Sequence, residues 1–178
     1  MADNSFSIDV AAIRERARQK MADGPVTAGY GRSAEEVVGV LNDVLATESV
    51  CWMRYAQHAI SATGIDRAQV AAEFSEHADE ERAHAMRAAE RISQLGGDPD
   101  FDPKTIAERA HTTYATFDDG DLRGMLQENL VAERIVIESY QEIIRWLGDG
   151  DVTTRRIMEE ILAEEEEHAD DLMDLLGN

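Results

Sequence analysis

Four stretches of this chain carry apolar residues at alternating three- and four-residue spacing, and each stripe is interrupted near its middle by a carboxylate. Positions spaced in that way share one face of a helix. The first stripe reads Leu41, Val44, Glu48, Cys51, Tyr55, and the second Val70, Phe74, His77, Glu81, His84, Ala88. The third reads Leu122, Leu126, Asn129, Glu133, Val136, Tyr140, and the fourth Met158, Ile161, Glu165, His168, Leu172, Leu175. Whatever fold forms must bury four acidic groups along with its core. The simplest solution is an all-α four-helix bundle with the interruptions at one level. Pro25, Pro99 and Pro103, the only prolines, all lie outside the long periodic stretches.

Start and stop signals divide the chain. A first long helix is expected over 33–62, capped by Ser33 and broken by Gly64. A second is expected over 66–95, ending at Gly96-Gly97 with Pro99 beyond. Residues 98–118 are too many for a tight turn and predict an end-to-end crossover carrying a short helix at 104–114. A third long helix is expected over 119–147, stopped by Gly148-Asp149-Gly150, and a fourth over 152–176. Residues 1–30 read as a separate N-terminal arm with a short helix at 8–21, either an oligomer arm or a cap on the bundle formed by 31–178.

At 178 residues the chain has room for one domain with a substantial core. Its formal net charge of −20 repels phosphate backbones and attracts cations, so nucleic acid is not an expected partner. The single cysteine, Cys51, excludes an intramolecular disulfide or a thiolate cluster and suits a reducing compartment. The N-terminal stretch lacks the basic-then-apolar order of a signal peptide, and no apolar run of membrane-spanning length occurs. A cytoplasmic protein without a membrane partner is expected.

The interruptions are paired. The first and third helices each supply a Glu, while the second and fourth each supply Glu-x-x-His, as Glu81/His84 and Glu165/His168. Glu48 precedes Glu81 by 33 residues and Glu133 precedes Glu165 by 32, as though two similar hairpins were joined. Four buried carboxylates would each cost several kcal/mol or take up protons, unless cations accompany them. Two divalent metals remove that penalty. Carboxylate oxygen and imidazole nitrogen suit iron or manganese, and this ligand set is the one used by di-iron and di-manganese bundles. The expected metal ligands are therefore Glu48, Glu81, His84, Glu133, Glu165 and His168.

Glu-x-x-His alone is a weak signal in an acidic helical chain. Glu108 and His111 match it too, but lie in the crossover without a partner Glu upstream, and are expected to be solvated. Tyr55, two turns beyond Glu48, could hydrogen-bond a ligand carboxylate or donate an electron, or be an ordinary core tyrosine. Glu80 and Glu164 could accept the free ring N–H of a histidine on the opposite hairpin, or equally stand as surface charges. His77 reads as a hydrogen-bonded core histidine, or as the lining of an iron access path. Trp52, Trp146 and the methionines read as packing.

The segments DEERAHAMRAAERI and EILAEEEEHADDL, with LNDVLATES and the tyrosine that follows it, resemble bacterioferritin and so place the chain with the ferritin-like four-helix bundles. The likeness runs from about Glu35 to Leu176. It implies that Glu48 and His84 serve one iron, Glu133 and His168 the other, and that Glu81 and Glu165 bridge them. It also implies a ferroxidase that oxidises Fe(II) with O2 or H2O2 at two Fe per subunit and deposits mineral in an oligomeric shell, a role in iron storage, detoxification and protection from oxidative stress. Glu48, Glu81, His84, Glu133, Glu165, His168 and Tyr55 would be its catalytic groups.

Arg82 stands where bacterioferritin carries its haem-ligating methionine, so haem is not expected. Only ten residues follow His168, too few for the fifth helix of the larger cages, and the separation of 52 residues from Glu81 to Glu133 is longer than in bacterioferritin. These departures are similar to the Dps-like mini-ferritins and imply a homo-oligomer of twelve subunits. The lysine-rich tail with which many Dps proteins bind DNA is absent. A rubrerythrin-like di-iron peroxidase without iron storage is the alternative, although Val136 stands where such a site would need a second carboxylate. A bundle with purely structural metals is a third possibility.

Overall fold

The computed structural model describes residues 6–117 and 121–177. Its elements are α1 (Val10–Gln19), a single 3-10 turn (Met21–Asp23), α2 (Ala34–Ser61), α3 (Arg67–Gln94), the short α4 (Ile106–Arg109), α5 (Leu122–Leu147) and α6 (Val152–Leu176). The described residues contain no strand. None of the helices is long and apolar enough to cross a membrane.

The helix ends follow from local chemistry. Ser33 Oγ accepts from the Glu36 amide at 3.3 Å, Asp121 Oδ1 from Gly124 at 3.1 Å, and Asp151 Oδ1 from Thr154 at 2.9 Å, each satisfying an amide that has no partner within its own helix. After α3, Gly96 takes φ +84°, and the Gly97 amide returns to the Ile92 carbonyl at 3.0 Å. That left-handed turn is why a glycine sits there.

α2 pairs with α3 and α5 with α6, and the two hairpins face each other across the core. One apolar cluster joins Val37, Leu41 and Val44 to Ile92, Tyr140, Leu147 and Met158. At the opposite end, Tyr55, Val70 and Phe74 meet Met125, Leu126 and Leu172. The N-terminal half of α2 thus packs with the C-terminal half of α5, so the connection must traverse the bundle end to end. Between the two clusters lies the polar layer.

The crossover differs from expectation. The helix expected over 104–114 is only the single turn Ile106–Arg109, because the backbone turns extended at Ala110 and the residues beyond it bind Arg54, whose Nη1 donates to Thr112 Oγ1 at 2.8 Å and to the Thr113 carbonyl at 3.0 Å. Ile106 and Ala110 cover Ala46 and Val50, and the His111 amide donates to Thr47 Oγ1. Residues 44–51 are consequently buried all round the helix. The expected start of the third long helix at 119 lies outside the described residues.

Residues 26–32 cap one end of the bundle. Val26 and Tyr30 pack on the first cluster, and the Tyr30 hydroxyl donates to Asp151 Oδ2 at 2.7 Å. The Gly31 amide donates to the Gly150 carbonyl at 3.0 Å, and a Cβ on Gly31 would stand 2.9 Å from Gly150 Cα, too close for any side chain. α1 buries no residue, and Phe6, Ile8, Val10 and Ile13 are exposed. Trp52, expected to pack inside, is partly exposed because it lies on the outer face of α2, while Trp146 packs on the first cluster.

Candidate metal centre

All six expected ligands are buried between the two apolar clusters. They form two overlapping groups, Glu48, Glu81, His84 and Glu165, and Glu81, Glu133, Glu165 and His168, in each of which the ligand atoms lie within 4.8 Å of one another. Glu81 and Glu165 belong to both. His84 Nδ1 lies 2.9 Å from Glu165 and 3.5 Å from Glu48, and His168 Nδ1 lies 3.2 Å from Glu165 and 3.6 Å from Glu81.

The outer edge of each imidazole is held from the opposite hairpin. His84 Nε2 is 2.7 Å from Glu164, and His168 Nε2 is 2.8 Å from Glu80, as expected for two carboxylates that orient the rings. Arg87 holds Glu164 in turn at 3.2 Å. Two tyrosines fix the outer carboxylates, Tyr55 donating to Glu133 and Tyr140 to Glu48. The role of Tyr140 was missed in the sequence. Its signal was present, since Tyr140 follows Glu133 by seven residues just as Tyr55 follows Glu48.

With those outer contacts made, the inward atoms are left without hydrogen-bond partners: Glu48 Oε2, both oxygens of Glu81 and of Glu165, Glu133 Oε2, and Nδ1 of both histidines. Buried polar atoms are rarely left so. Here they converge. The donor set fits two divalent cations, because four carboxylates and two neutral imidazoles carry the charge that two such ions cancel.

Without cations, protons do that work. Burial and the neighbouring Glu165 carboxylate push the Glu81 carboxyl well up. Burial and Glu165 likewise push Glu133 to about 8. Burial opposes protonation of both histidines, but Glu165 and Glu48 hold His84 at about 11, and Glu165, Glu133 and Glu80 hold His168 at about 9. Glu165 is also raised by burial, yet the imidazoles of His168 and His84, 3.2 and 2.9 Å away, bring it to about 2.

Beside the pocket is a second polar network. Arg54 Nε donates to Asn129 Oδ1 at 2.8 Å, and Asn129 Nδ2 lies 3.1 Å from His58 Nδ1. His58 therefore accepts at Nδ1 and donates from Nε2 to the Ala115 carbonyl at 3.1 Å. Burial and Arg54 lower its basicity to about 4, so it stays neutral. Cys51 is buried against Arg54 Nη2 at 3.7 Å. Its thiol is pushed up by burial.

Glu108 and His111 are exposed in the crossover, away from the cluster, and Arg82 is exposed on α3. His77 is not the hydrogen-bonded core histidine that was one reading of the sequence. It is buried, stacks on His168 at 4.1 Å between ring centres, and neither of its ring nitrogens has a hydrogen-bond partner.

Two helical hairpins that present four carboxylates and two histidines to one another at mid-height have the side-chain arrangement of the dinuclear carboxylate bundles. The chain belongs to the ferritin-like domain family, which matches residues 38–178. It is homologous to bacterioferritin from Desulfovibrio desulfuricans, with 28% identity over 135 residues, 75% of this chain and 70% of that protein. Among solved structures it is similar to the bacterioferritin-related protein of Bacteroides fragilis, described as a dodecameric thioferritin. Identity there is 39%, coverage is 83% of this chain and 88% of that one, and the TM-score is 0.79. An archaeal Dps homologue from Halobacterium salinarum is 26% identical, covering 86% and 87% of the two chains with a TM-score of 0.78.

Proposed function

We propose that the protein is a cytoplasmic ferroxidase and iron-storage protein, which takes up two Fe(II) per subunit and oxidises them with O2 or H2O2. The reading rests above all on the eight inward, unpartnered donor atoms of Glu48, Glu81, His84, Glu133, Glu165 and His168. Glu48 with His84 would hold one iron, Glu133 with His168 the other, and Glu81 and Glu165 would bridge them. Two bound Fe(II) ions supply two electrons, enough with two protons to reduce one H2O2 to two waters.

The chain's own groups prepare that exchange. Tyr55 and Tyr140 each give a hydroxyl hydrogen to one oxygen of Glu133 and Glu48, turning the second oxygen inward. Burial and Glu133 hold the Tyr55 hydroxyl well above its usual range, so it stays a donor. Glu164 and Glu80 keep the Nε2 protons, leaving each Nδ1 lone pair for the cation. The apolar clusters on either side exclude water from the pocket.

A twelve-subunit shell is the assembly we favour, supported by the dodecameric description of the 39% identical relative. Exposed Val131 and Ile135, one turn apart on α5, and the apolar residues of α1 are available to such contacts. Stopped-flow mixing of Fe(II)-loaded protein with O2 or peroxide tests the chemistry. Glu81→Ala and Glu133→Ala should abolish rapid oxidation, and wild-type rates in both would refute the site. A small oligomer that turns over peroxide without accumulating ferric mineral would instead favour the rubrerythrin-like reading.

A further inference from the structure

One turn outside the pocket, the same two helices place a further set of donors. Glu73 and His77 are four residues apart on α3, and Asp171 follows His168 by three on α6. His77 Nε2 lies 3.4 Å from Glu73 Oε1 and 3.6 Å from Asp171 Oδ2, and one donor atom from each residue falls within 4.8 Å of the other two. His77 is only 1% exposed, and neither ring nitrogen has a hydrogen-bond partner. Its Nε2 is thus a buried nitrogen aimed between two carboxylates.

These residues floor a cleft of about 120 Å³ that opens between α3 and α6. Glu73, Glu76 and Glu80 line it from one helix and Glu164, Glu167 and Asp171 from the other, with no Lys or Arg among the lining residues. Such walls concentrate cations and exclude anions. His168 lines this cleft and also belongs to the inner ligand set. A cation on His77 would be separated from the inner pocket by one imidazole ring.

We propose that Glu73, His77 and Asp171 form a separate divalent-cation site, of a kind suited to Fe(II), Mn(II) or Co(II), which captures the ion before it moves inward past His168. One nitrogen and two carboxylates match a borderline divalent metal and balance its charge, with water completing the shell. The capture role rests on the ferroxidase reading, whereas the binding site does not.

The test uses the full-length protein and Co(II), which binds without being oxidised. Crystals soaked in Co(II) should give anomalous density among Glu73, His77 and Asp171 as well as in the inner pocket. Asp171→Asn, at a half-exposed position, should lose the outer peak and one Co(II) per subunit in equilibrium dialysis, while the inner peaks persist. His77→Phe, which keeps a ring against His168, should do the same. Density in the inner pocket alone would overturn the outer site and leave the ferroxidase reading standing. Density at the outer site alone would do the reverse. For the capture role, Asp171→Asn should slow oxidation at iron levels below one ion per subunit, and unchanged kinetics there would refute it.

Discussion

Binding of two divalent cations to the inner pocket should expel about four protons at pH 7, a number that follows from the groups that neutralise it when metal-free. Four carboxylates and two neutral imidazoles would leave four uncompensated negative charges in a pocket lying between apolar layers. The structure supplies four protons against them: one on His84, held at about 11; one on His168, at about 9; one on Glu81, pushed well up; and most of one on Glu133, at about 8. Glu165, at about 2, contributes none. Two M(II) ions bring the same charge and need those donor atoms bare. The release should diminish as pH rises through about 8 and then about 9, as Glu133 and His168 lose their protons in the metal-free protein, and affinity should increase with pH throughout. Calorimetric titration with Co(II) in buffers of different ionisation enthalpy gives the proton count as a slope. Glu73→Gln with Asp171→Asn removes the outer set, so the count reports on the pocket. Release of fewer than about two protons at pH 7 would mean that the metals do not replace this proton set, and the reasoning would fail.

The same groups set the stability of the metal-free protein. Glu81, Glu133, His84 and His168 all have folded values above their unfolded ones, so the folded state holds more protons, and their contribution is lost as pH rises. Thermal unfolding after chelation should therefore show Tm falling from pH 6 to pH 9, with added Co(II) flattening the dependence; a metal-free Tm that rises over that range would contradict it. Glu164→Ala frees the Nε2 side of His84 and should weaken metal binding by about 10- to 100-fold without unfolding the bundle, measured by competition with a chelator. Asp151 accepts from Tyr30 and Thr154 and pairs with Arg91 at 3.1 Å in a buried setting, so Asp151→Ala should cost about 3 to 5 kcal/mol in urea unfolding. Removal of residues 1–24, which include α1 but spare the cap at 26–32, should leave that stability nearly unchanged.

The helical core was legible because burial imposes a period, and the six ligands because each breaks it. Every residue of the α2 stripe from Leu41 to Tyr55 is buried, and on α5 and α6 only the end residues Leu122 and Leu175 are half-exposed. The Glu80 and Glu164 contacts were legible as one of two readings, since each adjoins a ligand on a known helical face where a surface charge would stand equally well. What could not be read was the crossover. Its conformation follows from Arg54, on the non-ligand side of α2, collecting Thr112, Thr113 and Asn129, and no periodicity encodes a partner 58 or 75 residues away. The full burial of residues 44–51 is invisible for the same reason: α4 covers the outer face of α2, where an amphipathic pattern is replaced by Ala46, Thr47 and Val50.

The two hairpins are near-copies at the ligands and differ just outside them, and the differences sort by direction. Toward one end, Val44 on α2 is answered on α5 by Asn129, which with Arg54 and His58 anchors the crossover. Along the α3–α6 face, Ile161 precedes Glu165 by four residues, while His77 holds the corresponding place before Glu81. Ile161 is sealed into the apolar cluster, whereas His77 turns its unpartnered Nε2 toward Glu73 and Asp171 in the acidic cleft. A pocket built only to hold two structural ions would gain nothing from an unsatisfied buried imidazole at its edge, since that group costs stability in either protonation state. Its presence is accounted for if ions pass that way, and the broken symmetry of the bundle would then belong to traffic into the centre rather than to the centre itself.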